Sequence, residues 1–168
     1  MGRVYVQRES RLLVEWAAVY FADAELHFHA RLGAITPQLD DPTLTEREIR
    51  ALGIWRRYVD LLAADGRGVH LVEAKLRGAP GALEQLDLYA RLLPLTPEYA
   101  HLKGRPTYRH LVWSVADPVI EGMARERGIE VHLYRPAWVD EYYGTLPKRA
   151  GAPTSASGLL PAEEVGEE

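Results

Sequence analysis

Apolar residues recur at spacings of three and four over residues 9–22, where Leu12, Leu13, Trp16, Ala17, Tyr20 and Phe21 form one stripe. That period predicts an amphipathic helix. Over residues 25–32 (ELHFHARL) it gives way to alternation, which predicts a strand. Residues 33–45 hold two Pro and two adjacent Asp and read as a loop. There Thr45 and Glu48 have the spacing of a capping box that opens a short helical turn. Two β-rich runs, near residues 55–63 and 69–76, flank Asp65-Gly66, a dipeptide that favours tight hairpins. They are predicted to pair antiparallel. Residues 81–93 (GALEQLDLYARLL) return to the helical period, and residues 94–107 are loop-like. A strand is predicted over 108–115. Asp117 then caps a helix over 118–127, Gly128 ends it, and IEVHLY over 129–134 is a last strand. Strand–helix–strand successions form right-handed parallel crossovers. The order α-β-β-β-α-β-α-β thus predicts an α/β fold with a mixed central sheet flanked by helices.

Composition places this pattern in one domain. The chain has 168 residues and 47% hydrophobic content, which suits a single core over residues 1–149. Residues 150–168 (AGAPTSASGLLPAEEVGEE) are too poor in large apolar groups to offset ordering entropy and are expected to be a disordered acidic tail. The net charge is −4, yet the tail alone holds four Glu and no basic residue, so the body is balanced. Net charge therefore argues neither for nor against nucleic acid. The opening MGRVYVQRES has no apolar signal region, and no stretch approaches a membrane span; the expectation is a cytoplasmic protein with no membrane partner.

Absences narrow the chemistry. There is no Cys, which excludes disulfides, Cys-ligated zinc, iron–sulfur clusters and thiol nucleophiles. There is no Asn, and neither a nucleophile elbow nor a phosphate-cradling glycine loop occurs. Of the 20 basic residues only three are Lys: Lys75, Lys103 and Lys148.

Against this background the hairpin stands out. Buried strands exclude unpaired charge, because burying an ion costs several kcal/mol. Asp60 nevertheless lies inside YVDLLA, and Glu73 and Lys75 lie inside VHLVEAKL. Alternation puts Glu73 and Lys75 on one face, and the hairpin brings Asp60 near them. Two carboxylates and an ammonium on an apolar strand pair suit hard-metal chemistry. Mg²⁺ or Mn²⁺ takes carboxylate, carbonyl and water oxygens, so the Ala74 carbonyl is a further candidate ligand. Such an ion acidifies water and polarises a phosphoryl oxygen, while Lys75 holds the attacking water or offsets developing charge.

The motif Asp60, twelve residues, then Glu73-Ala74-Lys75 resembles that of the PD-(D/E)xK nuclease superfamily. The element order is similar to its restriction-endonuclease-like α-β-β-β-α-β core, here with an extra C-terminal α-β, and the resemblance covers roughly residues 9–136. The Gln85-Leu-Asp-Leu-Tyr89 stretch on the following helix resembles the Gln-x-x-x-Tyr of exonuclease-like and resolvase-like members. Val59 stands where many members have Pro. The resemblance implies a Mg²⁺- or Mn²⁺-dependent deoxyribonuclease, most simply an endonuclease. Asp60 and Glu73 would hold metal, Lys75 would be the catalytic lysine, and Gln85 would orient water or phosphate. It also implies a further acidic residue on the first helix. Glu9 and Glu15 both qualify, and Glu15 is preferred because it lies closer to the first strand.

Arg56, Arg57 and Arg77, with Tyr89, are candidates for contacting DNA, and Lys103-Gly104-Arg105 is a further basic stretch. The basic residues are equally readable as solvated surface, and Tyr89 as core packing with its hydroxyl at the rim. A homodimer is one way for single-site chains to cut both strands of a duplex. His27 and His29 alternate and are expected on one side of their strand, whereas His70, His110 and His132 show no ligand spacing. Trp138, Tyr142 and Tyr143 are expected to seal the end of the core. The alternative function is a non-catalytic module that binds nucleic acid or protein on the same fold.

Overall fold

A computed structural model describes residues 2–33 and 57–146. The loop over 33–45 beyond its first residue, the Thr45–Glu48 cap, the start of the second strand before residue 57, Arg56 and the tail lie outside the described residues. The chain is α/β, with a five-stranded mixed sheet flanked by helices. Helix α1 (Gly2–Tyr20) leads into β1 (Glu25–Leu32), β2 (Arg57–Ala64) and β3 (Val69–Lys75). Then come α2 (Pro80–Leu92), two 3₁₀ turns at Leu93–Leu95 and Pro97–Leu102, β4 (Thr107–Trp113), α3 (Pro118–Glu126), β5 (Glu130–Leu133) and α4 (Ala137–Thr145). Every predicted strand and helix with a described counterpart is present. Helix α1 begins seven residues earlier than the stripe predicts, and α4 is an unpredicted addition.

The strands lie side by side in chain order, β1 to β5. The first three pair antiparallel, and the crossovers through α2 and α3 make β3–β4 and β4–β5 parallel. Asp117 caps α3 by accepting from the N–H groups of Val119 and Ile120 at 3.0 and 3.3 Å, and Gly128 leaves that helix at φ +65°.

Two apolar layers sandwich the sheet. On one face Leu12, Leu13, Trp16 and Ala17 of α1 pack on Leu61, Ala63, Val72, Ala74 and Val112, with Trp138, Tyr142 and Tyr143 of α4 closing the edge as expected. On the other face Leu83, Leu86 and Tyr89 of α2 pack on Leu62, Leu71, Leu111 and Trp113. Asp87 secures α2 by pairing with Arg109 of β4 and with Arg127 at 3.1 Å.

The alternation slips once, in two strands together. In β2, Val59 joins the α2 layer while Leu61 and Ala63 join the α1 layer and Leu62 and Ala64 the α2 layer. In β1, Leu26 faces the α1 layer while Ala30 and Leu32 face the other. The slip falls at His29 and Asp60, between the pairs Phe28–Leu61 and Ala30–Val59. His29 has φ +51°, a left-handed conformation that turns a strand's side chains over.

The β3–β4 junction sets a close backbone approach at Gly68. A Cβ there would lie 2.4 Å from the Pro106 carbonyl oxygen, whereas a Cβ at Gly66 would meet nothing within 4 Å. Gly68→Ala is expected to destabilise the protein by about 1–3 kcal/mol. Gly66→Ala should stay within about 0.5 kcal/mol of wild type. Urea unfolding of the two variants checks this, and equal stabilities would contradict the stated packing.

Candidate functional site

The β2–β3 ladder runs from Ala64–Val69 to Leu61–Val72 and stops there. β3 continues beside β4 as far as Lys75. The strands therefore diverge where Asp60 faces the end of β3. In a strand one residue's N–H and C=O point to the same neighbour. Val69 donates to Pro106 on the β4 side, so Ala74, at odd separation from it, turns both groups toward β2. With the ladder ended, Asp60 takes over: its Oδ2 accepts from the Ala74 N–H at 3.0 Å. The Ala74 carbonyl points into the same gap.

Glu73 and Lys75 lie at this gap on the α2 face. Lys75 Nζ donates to Glu73 Oε1 at 2.7 Å and lies 3.9 Å from Asp60 Oδ2. Glu73 is only 3% exposed, and its second oxygen, Oε2, is buried with no hydrogen-bond partner among the described residues. Burial first, and then the charge of Asp60, push its carboxyl up to about 7 against the pull of Lys75. Burial works against the charge on Lys75, but Glu73, Asp60 and Glu9 outweigh it and raise the ammonium above its ordinary value.

The first-helix carboxylate is a correction. Glu9, not Glu15, joins the cluster: Glu9 Oε1 accepts from the Leu76 N–H at 3.2 Å. Burial raises its carboxyl, only partly offset by Lys75 and the Leu76 N–H. Glu15 is committed elsewhere. It accepts from Trp138 Nε1 at 2.9 Å and from Arg11 at 2.8 Å, which ties α1 to α4. The N-terminal half of α1, not its C-terminal half, lies at the end of β3.

Tyr89 is 3% exposed in the α2 layer. Burial, then Glu73 and Asp60, raise its hydroxyl well above the phenol range, which places the ring near the carboxylates but in the core. Gln85, one turn earlier, is exposed. Arg57 is exposed at the start of β2 on the side from which it acts on Tyr89. Arg77 instead stacks over Tyr143 of α4, its guanidinium 5.3 Å from the ring centre.

Two histidine groups depart from expectation. His27 and His29 do not share a side. His27 bonds Glu25 at 2.6 Å and meets Tyr99 of the α2 layer. His29, turned by its positive φ, lines a cleft of about 140 Å³ with Glu9, Ser10, Leu13, Phe28 and Asp60. That cleft opens the carboxylate cluster toward α1. His70, His110 and His132 are not scattered: they form a hydrogen-bonded row across β3, β4 and β5. His70 Nδ1 lies 2.9 Å from His110 Nε2, and His110 Nδ1 lies 3.0 Å from His132 Nε2. Burial, with its two neighbours, pushes His110 down to about 3, so the row is uncharged at its centre.

No family model, curated protein or solved structure matches this chain. The geometry therefore carries the reading alone. No helix among the described residues is long and apolar enough to cross a membrane.

The Glu73 carboxyl gives a test of the cluster itself. Its folded value of about 7 lies above the unfolded 4.5. Its contribution to stability is then full below 4.5 and lost as pH rises through about 7. In EDTA, wild type should lose stability relative to Glu73→Gln across that window. Denaturant midpoints of both proteins against pH measure it, and parallel profiles would contradict the burial of an unpaired oxygen.

Proposed function

We propose that this chain is a Mg²⁺- or Mn²⁺-dependent nuclease that hydrolyses DNA phosphodiester bonds, built as a member of the PD-(D/E)xK superfamily on its restriction-endonuclease-like core. The observation that carries the reading is the gap itself. Where β2 leaves β3, Asp60 and Glu73 converge with Lys75, and a buried Glu73 oxygen lacks a partner among the described residues.

The donors fit a hard divalent cation. Among the described residues three carboxylates (Asp60, Glu73 and Glu9) surround the Lys75 ammonium, more negative charge than Lys75 alone balances. Asp60, Glu73 and the Ala74 carbonyl are the residues that would hold the ion. When bound, it supplies Lewis acidity to a phosphoryl oxygen and acidity to water. The protein's own groups do the rest. Asp60 keeps Ala74 fixed through its N–H, so the carbonyl beside it is oriented before any ligand arrives. Lys75, held charged by the surrounding carboxylates, presents an ammonium where an incoming water or a phosphate oxygen needs a donor. Loss of the Glu73 proton near neutral pH frees the oxygens that a cation requires. Exposed Gln85 and Arg57 lie on the side from which a phosphate backbone would approach, and Glu9 and His29 line the cleft on the other.

The test is cleavage of plasmid, linear, branched and single-stranded DNA with Mg²⁺, Mn²⁺ or EDTA. Asp60→Ala, Glu73→Ala and Lys75→Ala should each lower the rate by about 10²–10³-fold or more. Glu9→Gln should slow cleavage and Glu15→Gln should leave it unchanged. Wild-type rates in Glu73→Ala would overturn the proposal. DNA binding without cleavage by wild type on any substrate would favour the non-catalytic alternative.

A further inference from the structure

On the α1 face of the sheet, away from Glu73 and Lys75, His110, His132 and Glu130 bring three ligand atoms within 4.8 Å of one another. We propose that they form a second metal site, for a borderline divalent transition ion of the zinc class rather than the hard cation of the carboxylate gap. His110 Nδ1 lies 3.0 Å from His132 Nε2 and 3.5 Å from Glu130 Oε2, and the third side of the triangle is 3.9 Å. Donors around a tetrahedral zinc are about 3.3 Å apart, and the three sides here average about 3.5 Å. Two imidazoles and one carboxylate suit zinc and its neighbours, which take nitrogen ligands, whereas Mg²⁺ prefers oxygen.

Parallel register makes the triangle. His110 pairs with Glu130, and Val112 pairs with His132, so one residue of β4 faces two alternate residues of β5 on the same side. The fold also supplies an outer shell. Asp65 Oδ1 accepts from His70 Nε2 at 3.1 Å, which leaves His70 Nδ1 bare to accept from His110 Nε2 at 2.9 Å. With its Nε2 proton committed there, His110 turns a lone pair on Nδ1 toward His132 and Glu130. Metal-binding histidines are oriented by such carboxylate-anchored bonds. Without metal, the proton on His132 Nε2 fills the space by bonding His110; metal binding moves that proton to the other nitrogen of the ring. Trp16 covers the site, its ring centre 5.0 Å from that of His132. Glu130 is solvent-facing, its side chain 59% exposed, so an ion has an entry path at the sheet edge. Three protein ligands leave the fourth tetrahedral position for water.

The experiment titrates Co²⁺ and then Zn²⁺ into the metal-stripped full-length chain, read by absorption and calorimetry, with Glu73→Gln as background. The expected result is one Co²⁺ with the intense visible bands of four-coordination, displaced by one Zn²⁺ and unaffected by excess Mg²⁺. His132→Ala and Glu130→Gln, both at the partly exposed edge, should bind at least tenfold more weakly while unfolding cooperatively. Asp65→Ala, which removes no ligand but takes away the acceptor for His70 Nε2, should weaken binding about tenfold. If His132→Ala or Glu130→Gln bound Co²⁺ with unchanged spectrum and affinity, or wild type gave no four-coordinate spectrum, the site would be refuted. If Glu73→Gln alone abolished binding, the ion would belong to the carboxylate gap and this inference would fail. Loss of DNA cleavage with these spectra intact would count against the nuclease reading only.

Discussion

A backbone N–H that loses its ladder partner inside a protein must find another acceptor. At Ala74 that acceptor is Asp60, 3.0 Å away, and the rest of the site depends on this substitution. The ladder ends at Leu61–Val72, and the side-chain alternation of β1 and β2 slips by one at His29 and Asp60. The slip brings a carboxylate into a space that a paired strand would otherwise fill. Glu73, one residue before Ala74, is then buried beside Asp60 and raised toward neutrality. Lys75 supplies partial compensation, and a divalent cation would supply the remainder. The site is thus a place where ladder hydrogen bonds have been exchanged for charged side chains, which is costly unless those charges are used.

The sheet separates two kinds of polar chemistry by strand parity. Glu73 and Lys75 face α2, with carboxylate oxygens and an ammonium. His70 faces α1, with His110, Glu130 and His132 beside it on the neighbouring strands, where aromatic rings of Trp16 and Phe21 cover the imidazoles. The even and odd positions of β3 serve different faces, so one seven-residue strand contributes to both groups. The histidine row is the less costly to bury, because each imidazole satisfies its neighbour by donating or accepting.

How much of this was legible depends on how local each signal is. The strands, α2 and α3 follow from period and caps, because each apolar stripe packs against the sheet that the other elements form. Asp60, Glu73 and Lys75 were visible because charge within an apolar run is anomalous wherever the register falls. Nearness to the first strand favours Glu15 over Glu9 and points to the wrong end of α1. The stripe of Leu12, Leu13 and Trp16 fixes which face of α1 packs, but not which end meets β3, and six residues displace a side chain about 9 Å along a helix. The histidine row was invisible for a related reason. Spacing within one strand says nothing about neighbours that arise from the parallel register of three strands. The turn at His29 has no sequence signature, since a non-glycine φ of +51° is imposed by its surroundings. Helix α4 hid behind its aromatic residues, which read as packing and gave no clear helical stripe.

The most direct measurement is anomalous diffraction from crystals soaked in Mn²⁺. A manganese peak is expected in the gap between β2 and β3, ligated by Asp60, the Oε2 atom of Glu73 and the Ala74 carbonyl. A manganese ion bound elsewhere with that gap vacant, or Glu73 Oε2 hydrogen-bonded to protein in the soaked crystal, would contradict it.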